Sequence, residues 1–228
     1  MTMLGLVIAA ALAGGAPAGA GAATSANLPD WSRGRNRGSD LNIEFYKRFA
    51  DCIAYRWPGL GGAVVAARPG SAEEQEAMDA LGMEAGFCVF SGRVRIEHHW
   101  FRGAIAEQLL RRKGPLPKPQ WLSGSETAEA LRAKLRAAYS GDRPNAVDRR
   151  DLTLRVAAHC TVRDSRALVE ALLRTDAGSR SERAALVALD PVLSRCIAGG
   201  DMRDLMAPSL RAYLAEALYW QRAVGGTA

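Results

Sequence analysis

The sequence predicts an all-α fold made of two tandem pseudo-repeats of short helices. Three observations carry that reading. First, the four cysteines form two sets with the same spacing, Cys52 to Cys88 and Cys160 to Cys196, each 36 residues apart. Second, a shift of 108 positions superposes both cysteines. It also aligns Gly70-Ser71 with Gly178-Ser179, and Glu74, Ala77 and Leu81 with Glu182, Ala185 and Leu189. Third, apolar residues recur at helical spacing through most of the chain, whereas the alternation expected of a strand is confined to Val94–Ile96. Matching alanines carry little weight among 42 of them, but matching cysteines and a shared Gly-Ser-x-x-Glu element do not arise cheaply.

Residues 1–26 contain no charged side chain, and Leu4–Ala13 form an apolar run followed by small residues. That run is too short and too glycine-broken to cross a hydrocarbon layer of about 30 Å. It reads as the apolar segment of a signal peptide, with cleavage after Ala23 or Ala26. No Lys or Arg precedes Arg33, which departs from the usual basic start of such signals; the competing reading is a disordered Ala/Gly tail. Nothing later reaches eighteen uninterrupted apolar residues, so no transmembrane span is expected in the mature chain. Residues 27–40 follow as a flexible basic arm, in which Arg33, Arg35 and Arg37 alternate with Gly and Asn.

The first repeat is placed at 41–112. Leu41, Phe45, Phe49 and Cys52 make one apolar stripe, and Pro58 suits the first turn of the next helix. Gly70 supplies a left-handed helix stop, and Ser71-x-x-Glu74 a capping box for the helix carrying Met78 and Leu81, whose end is predicted at Gly82. A longer helix then bears Phe101, Ile105 and Leu109. Pro115, Pro117 and Pro119 mark a linker, with a short helix at about 127–139 inside a connecting segment at 113–147 that is expected to pack across the junction. The second repeat, 148–222, runs in parallel: Leu168, Ala171 and Leu172 on one face, Gly178 and Ser179-x-x-Glu182 at the turn, Leu186 and Leu189 next, a stop at Asp190-Pro191, and finally Leu210, Leu214 and Leu218. Residues 223–228 form a tail.

The composition of 228 residues, 48% hydrophobic and 24% charged, excludes disordered and collagen-like chains. Lys and Arg exceed Asp and Glu by 30 to 24, and 26 of the cations are Arg, as a GC-rich coding bias alone would produce. The resulting charge of +6 permits attraction to polyanions without specifying a partner. With an export signal, the cysteines enter a compartment where disulfides persist. Three pairings are possible; the simplest for a duplicated unit joins Cys52 to Cys88 and Cys160 to Cys196. The three histidines, His98, His99 and His159, and the lack of Cys-x-x-Cys argue against zinc, and no cofactor is predicted.

The functional candidates are few. Arg102 and Glu107 recur as Arg211 and Glu216 in an Arg-x-x-x-Ala-Glu pattern. Five residues separate Arg from Glu, so they do not meet on one helix face. Reaching other elements is the alternative, and a pseudo-twofold arrangement pairs Arg102 with Glu216 and Arg211 with Glu107 as structural ion pairs. The catalytic reading makes Glu107 and Glu216 an acid and a base acting on an envelope glycan. Shared residues more often answer a structural demand, and a single active site needs asymmetry. His98-His99, with Glu97, Trp100 and Arg102, offers such asymmetry near neutral pH. No Gly-x-Ser-x-Gly elbow, phosphate loop, His-Glu-x-x-His or EF-hand occurs.

At the paired cysteines and the helices Arg-Gly-Ala-Ile-Ala-Glu and Arg-Ala-Tyr-Leu-Ala-Glu, the chain resembles uncharacterised exported bacterial proteins in which a similar helix follows a cysteine. The resemblance spans roughly Leu41 to Gln221. It implies an envelope location and supplies no mechanism. The leading expectation is therefore a periplasmic or secreted, non-enzymatic interaction or scaffold module. An envelope hydrolase using Glu107, Glu216 or the His98-His99 region is the first alternative, and a polyanion binder through the basic arm the second. The expected partner is an envelope protein or a polyanion, without sequence-specific nucleic-acid binding.

Overall fold

The computed structural model describes residues 40–88, 98–112, 114–123, 126–139, 146–197 and 205–225. The expected signal segment, the basic arm and the Val94–Ile96 alternation lie outside them. Eight α-helices occur among the described residues, with no strand. They are α1 (Asp40–Arg56), α2 (Pro58–Ala66), α3 (Ala72–Ala85), α4 (His98–Arg112), α5 (Ala128–Tyr139), α6 (Ala146–Arg174), α7 (Arg180–Cys196) and α8 (Ala207–Gly225). A single 3₁₀ turn, Gly86–Cys88, follows α3. The all-α class is what the sequence periodicity predicts. No helix is long and apolar enough to cross a membrane among the described residues.

Helices α4 and α8 form the most extensive pairing, with α1 and α2 against α4, and α6 against α8. Their apolar stripes explain this. Phe101, Ile105 and Leu109 of α4 and Leu210, Leu214 and Leu218 of α8 are all buried. Helix α8 is buried on every side from Ser209 to Trp220, as expected of a helix surrounded by others. The crossing is close because Gly103 has no side chain: a Cβ there would lie 2.3 Å from the Ala212 Cα. Helix α5 packs on α6 through a face bearing the buried Leu131 and Leu135.

Both disulfides have the simpler connectivity, Cys52–Cys88 and Cys160–Cys196. Two such bonds are consistent with an oxidising, non-cytoplasmic location. Several local features recur at the expected shift. Gly70 and Gly178 both take φ of 77°, where glycine is favoured. Ser71 and Ser179 accept from the Glu74 and Glu182 N–H groups. The Glu side chains differ from the usual capping box: each accepts from the preceding glycine N–H, at 2.6 Å, rather than from the serine. Trp57, between α1 and α2, has φ −134° and ψ 57°; Ser165, which kinks α6, has φ −150° and ψ 50°. The span α1–α2 and the bent α6 thus break at corresponding residues.

Two predicted helix ends are corrected. Helix α3 passes through Gly82 to Ala85, because Leu81 and Ala85 are both buried and packing outweighs a glycine penalty of about 1 kcal/mol. Helix α7 passes through Asp190-Pro191 to Cys196. Pro191 removes the bond to the Val187 carbonyl, but Val187 is half exposed, while Leu186, Leu189, Val192 and Leu193 hold the other face in the core.

Candidate functional site

Two buried arginines organise the centre of the molecule. Arg102 of α4 is wholly buried, and all five of its N–H donors are engaged. Its Nε donates to Glu216 Oε1 at 2.6 Å, and Nη1 to Glu74 Oε1 at 2.7 Å and to the Val64 carbonyl at 2.5 Å. Nη2 donates to the carbonyls of Val65 and Ala67, both at 3.0 Å. One guanidinium therefore satisfies the open C-terminal carbonyls of α2, the capping Glu of α3 and a carboxylate on α8. Trp220 Nε1 shares the Val65 carbonyl at 2.8 Å, and Trp121 Nε1 takes that of Ala66 at 2.9 Å.

Arg211 of α8 does the same in the other half. Its Nε and Nη2 clasp Glu107 at 2.8 and 2.7 Å, and Nη1 donates to Glu182 at 3.0 Å. The carbonyls of Leu172, Leu173 and Thr175, with the Thr175 hydroxyl oxygen, accept its remaining bonds. These correspond to Val64, Val65 and Ala67 under the same shift. The structure thus brings Arg102 to Glu216 and Arg211 to Glu107, a reciprocal clasp between α4 and α8.

The electrostatics follow from burial opposed by pairing. Burial pushes the Glu74 carboxyl up, but Arg102, the Gly70 N–H and Arg155 outweigh it and hold it below the ordinary range. Burial disfavours the charges of Arg102 and Arg211, yet Glu216 and Glu74 for the first, and Glu107 and Glu182 for the second, raise both above the usual guanidinium value. Paired in this way, the carboxylates are fixed acceptors.

The surroundings of Glu216 and Glu107 differ. Glu216 is 1% exposed, and its Oε2 accepts from Arg155, which sequence reasoning missed. Arg155 in turn holds Asp151 at 2.8 Å and lies over the Tyr213 ring. Tyr213 donates to Asp151 at 2.5 Å, and His99 stacks on its ring with centroids 5.2 Å apart. Glu107 has a 12% exposed side chain and takes its extra bond from Arg111, one turn along α4. It faces a small, half-open cleft between α1, α4 and α8.

Where they are described, the other candidate residues are held in contacts with neighbouring helices. Glu97 and the His98 side chain lie outside the described residues. His99 is held against Tyr213, with Nε2 3.4 Å from Ser209 Oγ, and Trp100 donates to the same hydroxyl at 2.7 Å. His159 is buried, which holds it below the ordinary histidine value despite Glu126 nearby. Asp164 sits beside Cys160 and Cys196, but those sulfurs are bonded to each other and supply no thiolate to a metal. Neither a family model, a curated protein nor a solved structure matches the chain.

Proposed function

We propose that this protein is a non-enzymatic, disulfide-stapled helical module of the cell envelope, exported by its first 26 residues and acting in the periplasm or outside the cell. The observation that carries the reading is the clasp itself. Both oxygens of Glu216 and both of Glu107 accept hydrogen bonds from arginines, so neither carboxylate is placed to donate a proton to a glycosidic oxygen or to activate water. Duplication of one ancestral helical unit supplies the two halves, as the matching disulfides, left-handed glycines and arginine contacts support. A partner in the envelope would then meet a rigid surface held by covalent and ionic links.

Cell fractionation with intact-mass measurement tests this reading. The expected product is extracytoplasmic, begins after Ala23 or Ala26, and is four hydrogens lighter than its reduced form. It releases no sugar from envelope glycan. Glycan cleavage by the wild type, lost in a folded Glu107→Gln or Glu216→Gln variant, would establish the hydrolase instead.

A further inference from the structure

The cleft beside Glu107 has the features of a small-ligand site. Tyr46 and Trp100, in edge-to-face contact at 5.5 Å, supply aromatic wall, and Ala104, Pro208 and Ala212 complete an apolar lining. Among these surfaces lies Gln108, 8% exposed, whose carboxamide has no hydrogen-bond partner among the described residues. Its amide atoms are open to the cleft, where a polar ligand atom can take the place of water.

The charges around the cleft fix the sign of that ligand. Arg211 has every donor engaged, and Glu107 accepts from Arg211 and Arg111 at both oxygens. Arg111 uses Nη2 for Glu107 and the Leu173 carbonyl, at 2.8 Å each. Lys47 has a single ion-pair partner, Asp176, at 3.8 Å, and that carboxylate is 83% exposed. The most loosely held charge lining the cleft is therefore the Lys47 ammonium, whose one ion pair is long and exposed, whereas Glu107, a carboxylate of the lining, is held by Arg211 and Arg111.

Comparison with the other half shows why the space is open. Under the 108-residue shift Lys47 corresponds to Arg155, and under the 109-residue shift that relates Arg102 to Arg211, Ala104 corresponds to Tyr213 and His99 to Pro208. Around Glu216, Arg155 ties down the carboxylate and the stacked Tyr213 and His99 fill the volume. Around Glu107, a lysine, an alanine and a proline leave it vacant.

We propose that this cleft binds a small organic carboxylate, with its anionic head taken by Lys47 and Gln108, assisted by Arg111, and its apolar or aromatic body against Tyr46 and Trp100. The site goes beyond the module reading above and does not depend on it. The largely apolar lining favours a monoanion with a hydrophobic body over inorganic phosphate or a bare carboxylate.

The test is a titration of the oxidised full chain with phenylacetate, followed by ¹⁵N–¹H spectra that resolve the Gln108 side-chain amide. Ten heavy atoms of ordinary ligand efficiency correspond to a Kd on the order of 1 mM. Acetate and phenylacetamide, lacking the body and the charge respectively, should each bind about ten-fold more weakly. Lys47→Met and Gln108→Leu should weaken phenylacetate by about five-fold or more, and Ala104→Tyr, which introduces the ring found in the other half, should abolish binding. Lys47 is partly exposed, so its variant keeps the test valid if a core substitution unfolds the chain. Absence of saturable shifts by about 20 mM, equal binding of phenylacetamide, or unchanged affinity in folded Lys47→Met or Ala104→Tyr protein would overturn the proposal.

Discussion

Replacing Arg102 with methionine is the sharpest perturbation of this fold. Methionine roughly retains the apolar stem but removes all five donors. Glu216 keeps Arg155 and Glu74 keeps the Gly70 N–H, whereas the Val64 and Ala67 carbonyls lose their Arg102 bonds. Breaking a buried ion pair by deleting one partner costs about 3–5 kcal/mol, and each orphaned acceptor adds to that unless water enters. For a chain of this size 1 kcal/mol corresponds to about 2–4 °C, so Arg102→Met should lower Tm by about 6–20 °C. Arg102→Lys should recover little, because three donors on a point charge cannot occupy five positions in a plane. Arg111→Ala, at a pair whose arginine is 38% exposed, should change stability by less than about 1 kcal/mol. Thermal unfolding of oxidised protein by circular dichroism, with urea midpoints at unchanged slope, measures all three. A Tm for Arg102→Met within about 2 °C of wild type would refute the view that the clasp holds α2, α3 and α8 together.

Three further outcomes are expected. Opening either disulfide by a Cys→Ser pair should cost about 4 kcal/mol on the chain-entropy account of a 36-residue separation, read as a shift in urea midpoint. A loss below about 1 kcal/mol would mean that the unfolded chain is already compact at that loop. Gly103→Ala should destabilise by about 1–3 kcal/mol through the α4–α8 crossing, and Ala212→Gly in the same chain should return part of it; neutrality of the single variant would contradict the close approach. Acid should act in part through Glu126 and His159. Burial alone would raise the Glu126 carboxyl, but Lys134 and the Ser123 N–H and hydroxyl hold it at about 2, against an ordinary 4.5. Its stabilisation is complete above pH 4.5 and disappears as pH falls towards 2. His159 is kept neutral by burial below its ordinary 6.5, so the unfolded chain takes the proton first and stability declines as pH drops below 6.5. Glu126→Gln should flatten the lower slope and His159→Gln the upper one in urea midpoints measured against pH; unchanged slopes would exclude these assignments.

Much of the architecture was legible because it is written in spacing. Periodic apolar residues located α4 and α8, and the Gly-Ser-x-x-Glu element located both turns. The five-residue interval also gave a physical reason to look across the molecule for the partners of Arg102 and Arg211. What escaped notice depends on tertiary context. Arg155 was hidden because its counterpart is Lys47, so the internal alignment did not mark it. Glu74 and Glu182 were visible as caps but not as ligands of the arginines, since a capping motif says nothing about what packs above the turn. Gly82 and Pro191 looked like stops because local propensity was read without the buried faces that carry each helix through them. Gly103 had a signal: a glycine inside an apolar helix, opposite an alanine at the corresponding position of α8.

The pair of clasps also constrains where function can lie. A buried charge network is weak evidence for net stability, since well-packed apolar residues often serve as well. Its geometric demand is stronger: five directed donors on Arg102 accept one arrangement of α2, α3, α4 and α8 and reject slipped ones. Both halves meet that demand with the same residue types, so Arg102, Glu107, Arg211 and Glu216 are constrained by architecture and are poor places to look for specificity. Specificity belongs where corresponding positions have parted. Arg155, Tyr213 and His99 seal one carboxylate from solvent, whereas Lys47, Ala104 and Pro208 leave the other at the back of an open cleft with an unpaired Gln108 beside it. The shared residues define the frame, and the unshared ones make one side of it a site.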